Sequence, residues 1–414
     1  MSWIRSVGLV LLATVATVPQ AQESGWRANP DVVGKASQDQ ATFNYEEARV
    51  AGYTLPDPLT LNGAPVTSRD RWPSRRAEIL ELFRANVYGR RPGRAAQQRF
   101  DIVEEQARAM NGAATMKRIA VVSTQAGREH RFELLLFLPN ARAGAAPVFL
   151  LLNNRPVSNT DPTRKQISPF WPAEEMIARG FGIAAVQNNE LAPDVNETFR
   201  NGAIRLFEGE RTERAADAWG AIAAWSWGAS RVMDYFETDA RVDKTRVAVV
   251  GHSRGGKASL WAGAEDERFA LVVSNESGEG GAALSRRAFG ETTERINTAF
   301  PHWFTATYKT FNGRERELPI DQHMLLALVA PRPLYVASAD QDLWSDPRGE
   351  FLSLAHTSPV YALWGEPAIG EQAMTALDSP LIVGRRGYHV RTGAHNLTSY
   401  DWARFADFAE RVWK

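Results

Sequence analysis

The sequence predicts an α/β fold on a mostly parallel sheet, and two observations carry that prediction. Short apolar runs bounded by Gly, Pro and Asn recur along the chain, with helical stretches between them. One of those runs leads straight into a Gly-X-Ser-X-Gly pentapeptide that opens another helical stretch. Strands that alternate with helices are covered on both faces, so they read as continuous apolar segments.

Residues 22–60 are polar and mixed, without periodicity, and read as an extended N-terminal segment. Residues 69–90 carry Trp72-Pro73 and then Ile79, Leu80 and Phe83 at helical spacing after a proline start. Runs 119–123, 132–138, 148–152 and 182–186 read as strands. A helix is expected over 215–236, a buried strand over 247–250 and a helix over 257–264. Strands follow at 271–273, 334–337 and 381–383, and a helix over 401–413 closes the chain. No internal repeat or low-complexity linker divides this pattern. One catalytic domain over residues 22–414 is expected, with 22–110 and 285–325 as decorations.

Composition removes several function classes. Lys plus Arg total 48 and Asp plus Glu total 48, so no global field favours nucleic acid or an anionic membrane. There is no cysteine, which excludes disulfides, thiolate metal sites and a cysteine nucleophile. Arg5, an apolar run over 7–18 and the small Ala21 fit a secretory signal peptide over residues 1–21. The run is shorter than the about 20 residues a membrane helix needs. An exported, soluble, monomeric protein is expected.

The pentapeptide is Gly251-His-Ser253-Arg-Gly255. Between a buried strand and a helix it has the context of a nucleophile elbow, the strand-to-helix turn of α/β-hydrolases that lifts a serine hydroxyl above the sheet. The predicted architecture is therefore an α/β-hydrolase three-layer sandwich. A serine needs a base, and in this fold the base follows the acid late in the chain. His395, in a Gly-Ala-His-Asn loop before the final helix, occupies that place; His389 is its rival, and His302 reads equally as a packed residue. Two acids end successive strands after the elbow, Glu276 and Asp342, with Asp340 and Asp346 as weaker rivals. Either of the first two can hold the imidazole in the right tautomer and stabilise imidazolium. Arg254 follows the nucleophile, so its backbone N–H is an expected oxyanion donor and its guanidinium a second. Lys257, one turn after Ser253, faces the same cleft and suits a polar substrate.

Five segments together resemble the glucuronoyl esterases, carbohydrate esterase family 15: Gly-His-Ser-Arg-Gly-Gly-Lys from 251, Asn-Glu-Ser-Gly-Glu-Gly-Gly from 275, His-Trp-Phe at 302–304, Asp-Leu-Trp at 342–344 and Gly-Ala-His at 393–395. The resemblance runs from about residue 45 to the C-terminus. It implies cleavage of the ester between 4-O-methyl-glucuronic acid on xylan and lignin alcohols, with no cofactor or metal. It implies Ser253 as nucleophile, Arg254 as oxyanion arginine and His395 as base. Glu276 matches the family's usual acid and is the preferred partner of His395, whereas Asp342 matches an acid site of some bacterial members. Lys257, Glu291 and Trp344 resemble residues that contact the glucuronoyl ring, and Asn297 stands near a sugar-binding glutamine of fungal members. His252 replaces a fungal half-cystine. An acetyl xylan or feruloyl esterase is the alternative enzyme, and an inactive carbohydrate-binding relative the alternative class.

Overall fold

Runs such as Phe149-Leu150-Leu151-Leu152 have no polar face to turn to water, and they form the centre of one ten-stranded sheet. The structure is a computed structural model that describes residues 25–372 and 374–414. The expected signal peptide over residues 1–21 lies outside the described residues.

The strands are β1 (Gln97–Ala109), β2 (Ala114–Gln125), β3 (Arg128–Pro139), β4 (Ala146–Asn153), β5 (Gly182–Gln187), β6 (Val242–His252), β7 (Leu271–Asn275), β8 (Leu334–Ala339), β9 (Leu381–Val383) and β10 (Arg386–Arg391). Their spatial order is β9-β10-β8-β7-β6-β4-β5-β3-β2-β1. The run from β10 to β5 is parallel throughout. β3, β2 and β1 extend it antiparallel on one side, and β9 closes the other edge antiparallel to β10.

The main helices are α1 (Pro30–Asp39), α2 (Trp72–Phe83), α3 (Ala221–Phe236), α4 (Arg254–Glu265), α5 (Pro347–Ala355) and α6 (Ser399–Val412). They cover both faces. One core cluster joins α2, α3, α4 and α5 to the sheet through residues such as Phe83, Trp225, Trp261 and Phe351. The opposite cluster joins α6 to the sheet through Trp402, Phe405 and Phe408. All sixteen residues of α3 are buried, its polar Ser226, Ser230, Arg231 and Asp234 included. These layers are the expected three-layer sandwich. No helix among the described residues is long and apolar enough to cross a membrane.

Four expectations are corrected. Residues 30–39 are helical rather than extended. Asn29 caps α1 by accepting from the Asp31 N–H at 2.8 Å, and Pro30 opens it. The expected helix over 215–236 begins only at Ala221. Residues 97–109 are a strand of the main sheet, not a decoration. The strand that leads to His395 is β10, while 381–383 is the short edge strand beside it. β10 reads Arg-Gly-Tyr-His-Val-Arg, yet every residue in it is buried. Its polar side chains find partners inside: Arg386 donates to the Ser358 hydroxyl at 2.9 Å, and His389 lies 2.8 Å from the Asp401 carboxylate.

Candidate active site

Strand β6 and helix α4 meet at Ser253, which holds φ 57° and ψ −125°. A non-glycine residue adopts that region only at a cost of about 1–3 kcal/mol, covered by its surroundings. The flanking glycines are required by close approach. A Cβ on Gly251 would stand 1.9 Å from the Gly255 carbonyl oxygen, and one on Gly255 would stand 2.7 Å from that of Leu152. The Ser253 N–H donates to the Asn275 carbonyl at 2.9 Å, tying the elbow to the end of β7. The first N–H groups of α4 have no partner within the helix and carry its positive end.

His395 comes to the elbow on the loop between β10 and α6. Its ring lies 4.4 Å, centroid to centroid, from that of His252, the residue before the serine. The ring of His395 is about a third exposed (35%), so it can exchange protons with a substrate. His389, its rival in sequence, is fully buried between the Tyr335 hydroxyl and Asp401 and faces no cleft. His302 bonds Asp194 at 2.9 Å.

Both candidate acids reach His395. The Asp342 Oδ2 accepts from Nδ1 at 2.6 Å, and Glu276 Oε2 lies 3.2 Å from the same nitrogen. Glu276 has other partners: its Oε1 accepts from Arg391 at 2.7 Å and its Oε2 from the Asn396 N–H at 3.0 Å. Burial lowers the His395 pKa, but the Asp342 carboxylate, with help from Glu276, outweighs it and lifts the group to about 10. Burial also raises Glu276, to about 8, with Asp342 adding to the rise. Asp342 is lowered, because its attraction to His395 exceeds its own desolvation. Asp342, at the shorter distance, is thus the main carboxylate partner of the imidazole, while Glu276 is paired with Arg391. The rival acids have other roles: Asp340 accepts from the Gly393 N–H at 2.7 Å, and Asp346 caps α5 and pairs with Arg287.

Arg254 lies over the Trp303 ring at 4.8 Å and the Phe300 ring at 5.3 Å, and its Nη1 donates to Asp194. Asp194 also accepts from Trp303 Nε1 at 2.6 Å. Desolvation raises the Asp194 pKa, but the His302, Arg254 and Trp303 donors outweigh it and hold the carboxyl down at about 2. Sequence reasoning missed Asp194. Its signal was the one that located Glu276 and Asp342: a carboxylate just beyond a strand, here β5, at the C-terminal edge of a parallel sheet.

Lys257 is buried on α4, 4.0 Å from Glu291, with Nζ donating to the Ser277 carbonyl and 5.9 Å from the Trp303 ring. The Glu291 N–H donates to the Trp344 carbonyl at 3.0 Å, and the Trp344 side chain faces the Glu291 carboxylate. Burial lowers Lys257 and raises Glu291, each partly offset by the other. A buried pair held this far apart keeps donors and acceptors open to hydroxyl groups. Glu291, from the segment 285–325 expected as a decoration, therefore stands beside Lys257. Asn297 stands apart: its Nδ2 donates to Asn312 at 2.8 Å, and no hydrogen bond joins it to the other candidate residues among the described residues.

A strained serine on a strand-to-helix elbow, a histidine on the loop after the last parallel strand and a buried acid at that histidine's Nδ1 define a serine hydrolase of the α/β-hydrolase class. The family follows from comparison. A family model described as fungal glucuronyl esterase matches residues 121–365. A carbohydrate esterase of an unknown prokaryotic organism is 39% identical over 98% of this chain and 98% of its own. The solved glucuronoyl esterase from Solibacter usitatus is 43% identical, with a TM-score of 0.83 over 89% of this chain and 100% of that one. A 4-O-methyl-glucuronoyl methylesterase of Schizophyllum commune is 29% identical over 77% of each chain. The chain belongs to the glucuronoyl esterase family.

Proposed function

We propose that this protein hydrolyses the ester joining 4-O-methyl-glucuronic acid on xylan to lignin alcohols, through an acyl-enzyme on Ser253. In its neutral form His395 takes the Ser253 proton as Oγ attacks the ester carbonyl, and Asp342 stabilises the imidazolium that forms. The oxyanion is met by backbone N–H groups at the start of α4 and by the Arg254 guanidinium. His395 returns its proton to the departing alcohol. A water, deprotonated by His395, then attacks the acyl-enzyme, and His395 passes that proton to the departing Ser253 Oγ, releasing glucuronic acid and the free serine. Lys257 and Glu291 bind hydroxyls of the sugar ring, with Trp344 beside them.

The observation that carries this reading is the buried Lys257–Glu291 pair one helical turn from the nucleophile. An esterase selecting only a small acetyl group has no use for two desolvated charges that need polar partners. We further propose that residues 22–414 act as one catalytic unit, exported and monomeric.

The test compares kcat/KM on benzyl glucuronate, acetylated xylan and a feruloyl ester. Preference for the glucuronate is expected, and Ser253→Ala should lower kcat by about 10⁴–10⁶. Faster turnover of acetylated xylan or the feruloyl ester would overturn the substrate assignment, and a folded Ser253→Ala enzyme keeping a tenth of its rate would overturn the mechanism.

A further inference from the structure

The loop that carries His395 is short, partly exposed and lies outside regular structure, yet the imidazole must keep its position relative to both acid and serine. One buried side chain fixes that loop from beneath. Arg391, the last residue of β10, has a side chain only 4% exposed, with its guanidinium folded under the turn that follows it. Its Nη2 donates to the Ala394 carbonyl at 3.0 Å and to the Asn396 carbonyl at 2.7 Å, one on each side of His395. Its Nη1 donates to the Thr392 carbonyl at 3.2 Å.

The same guanidinium reaches both neighbouring carboxylates. Nη2 donates to Glu276 Oε1 at 2.7 Å, and Nε donates to Asp401 Oδ2 at 3.0 Å. Asp401 belongs to the first turn of α6, where it also accepts from the Thr398 N–H at 2.8 Å, and Glu276 accepts from the Asn396 N–H at 3.0 Å. The loop is therefore held at three points: β10 at its start, α6 at its end, and the end of β7 through Glu276. Glu276 holds φ +47°, a region unfavourable to a side-chain-bearing residue, which these contacts over-determine. Five acceptors converge on this one guanidinium, three of them sharing the two hydrogens of Nη2, and a lysine cannot match it.

We propose that Arg391 is a positioning residue for the ester hydrolysis: it locks the His395 loop to Glu276, so that Glu276 acts mainly as the loop's anchor while Asp342 carries the charge-stabilising role. The inference rests on His395 being the base but not on the identity of the substrate. Arg391 touches no reacting atom. It acts by setting where the imidazole stands, and a misplacement of about 1 Å can cost 10²-fold in rate.

The experiment measures kcat and KM on a glucuronate ester and on an aryl acetate for Arg391→Met, Arg391→Lys, Glu276→Gln and the Glu276→Gln/Arg391→Met double variant, with thermal unfolding of each. Arg391→Met should lower kcat about 10²-fold on both esters with KM within about twofold, because sugar binding is untouched. Arg391→Lys keeps the charge but not the fork, and should recover about a tenth of wild-type kcat. The double variant should be no slower than Arg391→Met alone, since both residues act through one link. If Arg391→Met does not fold, the Arg391→Lys loss in kcat at a near-native melting temperature carries the test. A folded Arg391→Met or Arg391→Lys enzyme with wild-type kcat, a loss confined to KM, or a double variant showing the product of the two single losses would overturn the proposal. A loss on the aryl acetate equal to that on the glucuronate is expected here, whereas failure of the substrate assignment appears only as a changed preference between esters.

Discussion

Asp342 Oδ2 accepts the His395 Nδ1–H at 2.6 Å, from a position where the carboxylate is itself buried. Glu276 faces the same nitrogen from 3.2 Å but divides its oxygens between Arg391 and the Asn396 N–H. Two carboxylates thus share one imidazole with unequal commitment. The family's commoner pattern favours Glu276 as the partner, whereas the geometry of this chain favours Asp342.

Substitution of the acids should reflect that inequality. Asp342→Asn should lower kcat by about 10²-fold, short of the roughly 10⁴-fold loss that follows removal of a sole triad acid, because Glu276 remains within reach. Glu276→Gln should cost about tenfold. The double variant should approach His395→Ala, since groups acting as a unit are not additive. Steady-state kcat on one glucuronate ester decides it. A nearly dead Glu276→Gln beside an active Asp342→Asn would return the main role to Glu276.

Asp194 and Arg254 should behave as one device. Asp194 holds the guanidinium against Trp303 and Phe300 and is held in turn by His302 and Trp303. Arg254→Ala should lower kcat by about 10²–10³ with little change in KM, the cost of one oxyanion donor. Asp194→Asn should reproduce part of that loss, and the double variant should not exceed Arg254→Ala. A rise in KM alone would make Arg254 a substrate-binding group instead.

The elbow was legible because everything that makes it is local: four apolar residues, two glycines and a helix within one short stretch. The rest of the proposed catalytic set depends on where distant loops meet. Glu276 and Asp342 were both found as strand-end acids, but a difference of 2.6 against 3.2 Å to Nδ1 is set by tertiary packing that no spacing encodes. β10 was missed for a related reason. Its Arg386, His389 and Arg391 look solvent-facing, and only their partners Ser358 and Asp401, from other parts of the chain, make them core residues. The Asn29-Pro30 start of α1 is a capping signal, followed by only a short apolar stripe, Val32, Val33 and Ala36, that packs against Tyr45, Phe289 and Leu343.

Recognition of the sugar should separate from the chemistry. Lys257→Met and Glu291→Gln should each raise KM for a glucuronate ester by about tenfold, roughly the contribution of one hydrogen bond to a charged group. Both should spare an aryl acetate, which has no ring hydroxyls to lose. Parallel kinetics on the two esters are the measurement, and equal losses on both would make the pair a structural support of the site.

Three buried carboxyls make the pH dependence of stability predictable. Burial raises Glu276 to about 8, Glu279 to about 8 and Glu350 to about 7. Glu279 accepts from the hydroxyls of Tyr308 at 2.6 Å, Thr293 at 2.8 Å and Ser285 at 3.0 Å, with no cation bonded to it. A carboxyl whose folded pKa exceeds its unfolded value binds its proton more tightly in the folded chain. Its stabilisation is therefore complete below the unfolded value of about 4.3 and is lost as pH rises through the folded one. His395, lifted to about 10, loses its contribution in the same direction at higher pH. Asp342 and Asp401, both lowered, act oppositely and only on the acid side. Burial also lowers His130 and His323 to about 4 and His252 well below its ordinary value, and their opposite effect ends as pH rises past about 6.5, so stability should fall between about pH 7 and 8.5. Denaturant midpoints across that range should show the decline, and Glu279→Gln, outside the catalytic set, should flatten it by up to about one proton's worth of slope. A flat or rising profile in the wild type, or an unchanged slope in Glu279→Gln, would show that these carboxyls are ionised in the folded protein.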